Sequence, residues 1–412
     1  MRASSFNKRK IFNDPVYGFI PIESELTFDV IEHPYFQRLR RIKQLGLTHL
    51  VYPGALHTRF HHSMGAMYLM NQVIVALRLK GHEIDDEEAQ AASLAILLHD
   101  MGHGPFSHAL ENSILEGIHH EAVSRIYMQR LNENFNALLH TAISIFDNSY
   151  SRKFFHQLVS SQLDVDRMDY LRRDSYYTGV SEGIINTDRI IKMLTVRDDK
   201  IAVEEKGIYS IEKYIVARRL MYWQVYLHKT VIAAESMLIR ILSRAKYLVR
   251  NGEHIFATPA LSFFLQNPVT QKNLKDDLML LEQFSLLDDF DIFTSIKVWA
   301  DHKDPILGPL CSRLVNRQLF RIEMQDVPFD KTYLESIRKK IMLTYHLSEE
   351  DVDFFLVEDS TANYAYHPLS DKINILYKNG EMVDLAYVSD QLNIAVLHKN
   401  VVKYFLCYPK NI

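Results

Sequence analysis

"LLHDMGHGPFSH" (97–108) closes an apolar run with a His-Asp pair and then bends through Gly102, Gly104 and Pro105. The residues leading into it, "DDEEAQAASLAILLHD" (85–100), open with acidic first-turn side chains and become apolar nearly all round, the pattern of a buried helix. His99 and Asp100 therefore stand at the C-terminal end of that helix. A carboxylate there is costly unless it is paired, and a metal cation would supply the pairing. Pro105 suits the start of a second helix, on which His108 and Glu111, three residues apart, can meet so that the carboxylate holds the imidazole charged and oriented for general acid work. His103 lies on the Gly-flanked bend, where the backbone can pass close to a phosphate. The plainer alternative is a histidine-rich turn satisfied by hydrogen bonds.

Two residues are not a site, and further N or O ligands are expected elsewhere. The best candidates are His62 in "RFHHS", with His61 as its rival, and an aspartate of "DVDRMDY" (164–170). Histidines are also concentrated: of 19, ten fall between residues 49 and 120, which favours chemistry over scattered surface positions. Cys311 and Cys407 are the two cysteines and fit no metal-type spacing, so a disulfide framework and a thiolate zinc site are both excluded.

The 412 residues are 47% hydrophobic, ample for a large core and more than one lobe. No run approaches the roughly 18 apolar residues of a membrane helix, and "MRASSFNKRK" has no apolar signal core behind its basic residues, so a cytoplasmic protein without membrane contact is expected. A net charge of −4 supplies no general attraction to nucleic acid, although "FQRLRRIKQ" (36–44) is locally basic and leaves room for an anionic ligand.

The spacing predicts an irregular, partly extended segment over 1–30, then helices through "HPYFQRLRRIKQLG" and over 63–81, 85–100, 119–132, 134–146, 151–160, 187–195 and about 208–250. "RDDKIAVEEKG" (197–207) reads as two short strands around a turn. After about residue 316, "LFRIEM", "DVDFFLVED", "KINILYKNG", "EMVDLAYVS" and "FLCYP" are β-type runs, with "KIMLTYHL" helical between them. The expected architecture is mainly α: a helical lobe over 1–316, its core about 28–250, followed by a smaller α+β lobe over 317–412.

The ordered motifs "NDPVYG", "QRLRRIKQLG", "YPGALHTRFHHSMG", "LLHDMGHGPFSH", "HHE", "DVDRMDY" and "YLHK" resemble those of the HD-domain metal-dependent phosphohydrolases. They are most similar to the deoxynucleoside triphosphate triphosphohydrolase branch, which includes the bacterial dGTPases and the mammalian sterile-alpha-motif/HD-domain enzyme. The resemblance covers roughly residues 8–250. It implies metal ligands at His62, His99, Asp100 and Asp166, with Asp164, Asp169 and Asp174 nearby as competitors, one of which could simply cap a helix. Two imidazoles and two carboxylates suit Mn, Fe or Ni and, less strictly, Mg or Zn.

The same resemblance places His103, His108, Glu111 and His120 around the phosphorus under attack. It assigns phosphates to Arg59, Arg167, Arg218 and Tyr170, with Arg167 replacing a lysine of the mammalian pattern, and sugar and base surroundings to Asp174 and Tyr226. Each of these also has a packing or surface reading. Gln44 and Leu45 match the pair that reads deoxyribose, the glutamine bonding the 3′-OH and the leucine leaving no room for a 2′-OH. Lys10, Asn13, Gln37 and Arg40 match positions that bind an effector nucleotide at a subunit interface. Glu32 stands where relatives have the aspartate that reads guanine, which leaves guanine preference open.

The resemblance thus implies hydrolysis of a deoxynucleoside triphosphate to deoxynucleoside and triphosphate, in a homo-oligomer (dimer or tetramer) responsive to a nucleotide effector. Two rivals stand beside it. One is an HD phosphatase or phosphodiesterase acting on another nucleotide, with the same ligands but no need of Gln44, Leu45, Arg218 or Tyr226. The other is a catalytically silent, nucleotide-responsive protein that binds nucleic acid.

Overall fold

A computed structural model of the chain describes residues 10–106, 110, 114–115, 117–363, 372–389 and 401–412. The leading segment is more regular than its prolines and glycine suggest. Lys10–Asp14 and Gly18–Ile22 pair as an antiparallel hairpin, and a helix, Glu25–Glu32, follows behind Ser24. The turn is held by Asp14, whose Oδ1 accepts the amides of Val16 and Tyr17 at 2.9 Å each, and by Gly18 at φ +77°, a value that few side-chain-bearing residues adopt. Pro21 is accommodated because the two-stranded ribbon has no inner strand.

The helix expected through "HPYFQRLRRIKQLG" is broken. Pro34–Gln37 is one α-turn, Arg38–Arg41 tightens to a 3₁₀ turn, and Ile42 is already extended. The reason is a competing set of backbone bonds: Arg59 donates to the Ile42 carbonyl at 2.9 Å and Gln44 to the His57 carbonyl at 3.0 Å. This short ladder lays residues 42–44 against the start of the long helix Arg59–Leu79, which begins four residues earlier than its apolar spacing suggests.

Asp86–Leu98 is the buried helix that the acidic start foretells, with Asp85 and Glu88 capping each other reciprocally. It packs on Arg59–Leu79, which also packs on Val165–Thr178, and these three helices form the frame of the site. His120–Asn134, His140–Phe146, Lys153–Val159 and Thr187–Met193 lie where helices are expected. The long 208–250 stretch is not one helix. Ile208–Met221 runs into a π-wound turn, Tyr222–Tyr226, the chain kinks at Leu227, and His228 caps a new helix, Lys229–Arg250, its Nδ1 accepting the Thr230 amide at 3.2 Å.

The 197–207 pair is a hairpin, Leu194–Arg197 with Lys200–Glu204, turning on Asp198 and Asp199 at positive φ. Asn374–Leu376 adds to it in parallel and Met382–Asp384 pairs with that strand in turn. Arg321–Gln325 and Val357–Asn363 flank Val401–Tyr408 in a second, antiparallel sheet, with the helix Lys331–Tyr345 between them in sequence. Two of the β-type runs divide: "DVDFFLVED" begins as a 3₁₀ turn, Asp351–Phe354, and "EMVDLAYVS" ends as a helical turn, Leu385–Val388, begun by Asp384, which accepts the Ala386 amide. The protein is thus mainly α with a smaller α+β portion. No helix among the described residues is long and apolar enough to cross a membrane.

Candidate active site

Four side chains from three helices converge. His62 lies in the first turn of Arg59–Leu79, His99 and Asp100 at the end of Asp86–Leu98, and Asp166 in the first turn of Val165–Thr178. His62 Nε2 is 3.0 Å from Asp166 Oδ1, 3.4 Å from His99 Nε2 and 3.7 Å from Asp100 Oδ2; His99 Nε2 is 3.4 Å from both Asp166 Oδ1 and Asp100 Oδ1. His61 is turned elsewhere, its Nδ1 engaged by the Thr58 amide and hydroxyl at the helix start. Asp164 is the helix cap, accepting the Ser161 and Arg167 amides.

The ring orientations test whether a metal fits. His99 Nδ1 is 2.6 Å from the Ile96 carbonyl and His62 Nδ1 is 2.8 Å from Asp169 Oδ2, so both Nδ1 atoms face pure acceptors and carry the proton. The Nε2 lone pairs of the neutral rings then point at each other across 3.4 Å, beside two carboxylates. That arrangement repels itself unless a cation sits among the four, and two imidazoles with two carboxylates are a donor set for a divalent first-row metal. The same field appears as proton affinity. Burial lowers the pKa of His62, but Asp166, Asp169 and Asp100 outweigh it and raise the value to about 10. Burial likewise opposes the charge of Asp100, yet Arg59, at 2.5 Å, and the His99 and His103 imidazoles hold its carboxyl well below the usual range.

Around this centre a cleft of about 480 Å³ opens. Asp100, Asp166, Arg59, His103 and His120 line one part of it, Gln44, Leu45, Gly46, Thr48 and Phe106 another, and Arg167, Tyr170, Asp174, Tyr222, Tyr226, Leu227 and Glu235 complete it. His103 and His120 stack with centroids 3.8 Å apart, and His103 Nε2 is 3.4 Å from Asp100 Oδ1. Burial and then the Arg59 cation push the His103 imidazole well below its ordinary pKa, which keeps it neutral. The stack depends on Gly102: a Cβ there would sit 2.0 Å from the His120 carbonyl oxygen, and its amide donates to Ser124 Oγ at 2.8 Å.

On Val165–Thr178 the residues 166, 170 and 174 recur at helical spacing and share the cleft face. Asp174 bonds His57 at 2.7 Å and the Tyr226 hydroxyl at 2.8 Å. Arg167 is anchored to Asp164, while its buried Nε has no partner among the described residues. Arg218 also has a buried Nε with no partner among the described residues and lies with its guanidinium over Tyr222, adjoining the cleft rather than lining it. The buried Gln44 Oε1 likewise has no partner among the described residues.

His108 and Glu111 lie outside the described residues. Lys10, Asn13, Glu32, Gln37 and Arg40 do not line the cleft; they gather on the hairpin and the segment behind it. There Gln37 Nε2 donates to the Ile31 carbonyl at 2.7 Å, Arg40 Nε to Gln37 at 2.8 Å, Arg40 covers the Phe60 ring and Lys10 the Phe28 ring.

Sequence reasoning missed Tyr222, Leu227, Thr48, Phe106 and Glu235. The π-wound turn brings Tyr222 and Tyr226 together, their rings 5.1 Å apart, and no apolar periodicity announces it. Glu235 faces the cleft from Lys229–Arg250 with no hydrogen bond or ion pair among the described residues, and burial raises its pKa to about 7. A lone glutamate in an otherwise apolar helix face, "TVIAAESML" (230–238), is the signal that could have flagged it.

Comparison with known proteins agrees with this geometry. Residues 59–174 match the HD domain and 185–253 the HD associated region. A phosphohydrolase of Bacteroides thetaiotaomicron superposes with a TM-score of 0.94 at 50% identity, over 97% of this chain and 100% of that one. The uncharacterized protein YwfO of Bacillus subtilis is 35% identical over 98% of this chain and 93% of its own. The deoxynucleoside triphosphate triphosphohydrolase SAMHD1 homolog of Dictyostelium discoideum is 31% identical over 67% of this chain, which spans 55% of that protein. With the paired imidazoles and carboxylates converging on one point and the HD pattern running through the helices that carry them, the chain belongs to the HD-domain phosphohydrolase family.

Proposed function

We propose that the protein hydrolyses deoxynucleoside triphosphates at the α-phosphorus, releasing deoxynucleoside and intact triphosphate. The observation that carries this reading is one cleft that joins the metal-ligand cluster to Gln44 and Leu45 and to Arg59 and Arg167. Further support comes from the SAMHD1 relatives, of which the chain covers about half.

His62, His99, Asp100 and Asp166 would hold the metal, which would supply Lewis acidity toward a phosphate oxygen and an attacking water. Arg59 spans the carboxylate of Asp100 and the cleft, and its planar fork suits phosphate oxygens. Arg167 and Tyr170 take the outer phosphates. His103, kept neutral, donates or accepts a hydrogen bond without adding charge beside the metal, while His120 stacks against it and fixes its plane. His108, supported by Glu111, protonates the leaving nucleoside oxygen. Gln44 presents to the sugar 3′-OH an Oε1 that has no partner among the described residues, and Leu45 fills the space a 2′-OH would need. Lys10, Asn13, Glu32, Gln37 and Arg40, gathered outside the cleft, form an effector site between subunits of a homo-oligomer.

The test is to incubate metal-loaded protein with each deoxynucleoside triphosphate, singly and in pairs, and to resolve the products by ion exchange. Deoxynucleoside plus triphosphate is the expected result, with turnover only in mixtures marking the effector site. Inorganic phosphate would instead favour a phosphatase. No product under any metal, together with tight single-stranded DNA binding, would favour a nucleic-acid-binding protein.

A further inference from the structure

Asp289 opens the helix Asp289–Trp299, far in sequence from every residue of the cleft, yet the residue is only 2% exposed and its carboxylate is spent on two backbone amides of the cleft wall. Oδ1 accepts the Phe106 N–H at 2.8 Å and Oδ2 the Lys43 N–H at 3.0 Å, with Lys43 Nζ at 3.6 Å. The helix does not need this side chain at its start. Asp288 accepts the Phe290 amide and Asp291 returns a bond to the Asp288 amide, so the cap is complete without Asp289.

The two amides belong to the two strips that meet at Gly46. Phe106 holds φ +52°, a conformation unfavourable for an aromatic residue, and its carbonyl oxygen would lie 3.3 Å from a Cβ on Gly46. Lys43 directly precedes Gln44 and Leu45. Gln44, Leu45, Gly46 and Phe106 all line the cleft, whereas Asp289 does not. Two N–H donors that both need an acceptor at this spacing are matched by a carboxylate and by no neutral side chain of the same size, since an asparagine turns one acceptor into a donor.

We propose that Asp289 is a positioning residue for the sugar of the substrate: by tying the Lys43 amide to the Phe106 amide it sets the gap between Leu45 and the 106 turn, and with it the exclusion of a 2′-OH. This rests on the deoxynucleotide reading of the cleft.

The experiment compares wild type with Asp289→Asn and, because the buried amide clash could unfold the first, Asp289→Ser, which keeps a good helix-start residue and can accept from one amide. Hydrogen exchange read by mass spectrometry comes first and needs no substrate. In a folded variant, peptides covering 40–46 and 102–106 exchange at least about tenfold faster while the metal content is retained. Unchanged exchange in both segments overturns the positioning role whatever the substrate is. Turnover comes second: the ratio of kcat/KM for dGTP over GTP falls about tenfold or more, a selectivity that a general loss of stability leaves unmoved. A wild-type ratio in a variant with loosened segments overturns the link to the sugar. A wild type that hydrolyses no deoxynucleoside triphosphate, singly or in pairs, overturns the functional reading, and the link to the sugar with it, while the exchange data still decide whether Asp289 ties the two segments.

Discussion

Arg173 grips Asp169 with two nitrogens, Nε at 2.9 Å and Nη2 at 3.0 Å, and so clamps the carboxylate that orients His62. The same guanidinium reaches Asp14 of the leading hairpin at 2.7 Å. A buried chain of charge thus runs from the hairpin turn to a candidate metal ligand. Asp169→Asn keeps the shape and removes the charge that fixes the His62 tautomer. Metal affinity is expected to fall about 10–100-fold, read by competition with a chromogenic chelator; an unchanged affinity would show that the Asp169 charge is dispensable.

His99→Ala and His120→Ala should separate. The first removes a converging Nε2 and is expected to lose bound metal, measured by inductively coupled plasma mass spectrometry, along with all turnover. The second removes the stacking partner of His103 and is expected to keep metal while losing about 100-fold or more in rate. Loss of metal in His120→Ala would place that ring among the ligands.

Leu45→Ala tests the deoxyribose wall directly. The expected outcome is a smaller preference for dGTP over GTP, by about tenfold, with the folded state intact because Leu45 is only part-buried. Equal loss on both nucleotides would mean that the side chain serves binding in general.

Glu235 makes stability depend on pH in a direction opposite to a salt-bridged carboxylate. Its pKa is about 7 in the folded protein against an ordinary glutamate value of 4.5, so between those values the native state binds more protons than the unfolded chain. Stability contributed by the neutral acid is fully present at the lower end and is lost as pH rises through about 7. Glu235→Gln should therefore be more stable than wild type at pH 8, on the order of 2 kcal/mol, and near parity at pH 5, measured by denaturant titration. A variant less stable at pH 8 would reveal a partner for the carboxylate.

The His-Asp pair was legible because a buried helix that ends on a charged pair contradicts its own apolar pattern, and the contradiction points to chemistry. The helix start behind Asp85 was equally readable, since a cap is a local bond, whereas the helix Val165–Thr178, capped by Asp164, was not among those expected. What periodicity could not convey were the places where distant backbone competes. The 34–46 segment looks helical until the carbonyls of Ile42 and His57 claim the amides of Arg59 and Gln44. The 208–250 stretch reads as one helix because the π-wound turn uses the same side chains a plain helix would. Asp289 offers no local sign at all: its partners are 183 and 246 residues away, and an acidic residue at a helix start is ordinary.

The parallel pairing of Asn374–Leu376 onto Lys200–Glu204 reaches beyond the sheet it completes. Without those later strands, Lys200–Glu204 would present a bare row of amides and carbonyls at an open margin, its Ile201, Ala202 and Val203 no longer hidden. Such a margin recruits whatever extended chain meets it, including its own copies. A shortened protein lacking residues 374–384 is therefore expected to be lost to intermolecular β-association, though every helix of the candidate metal cluster remains.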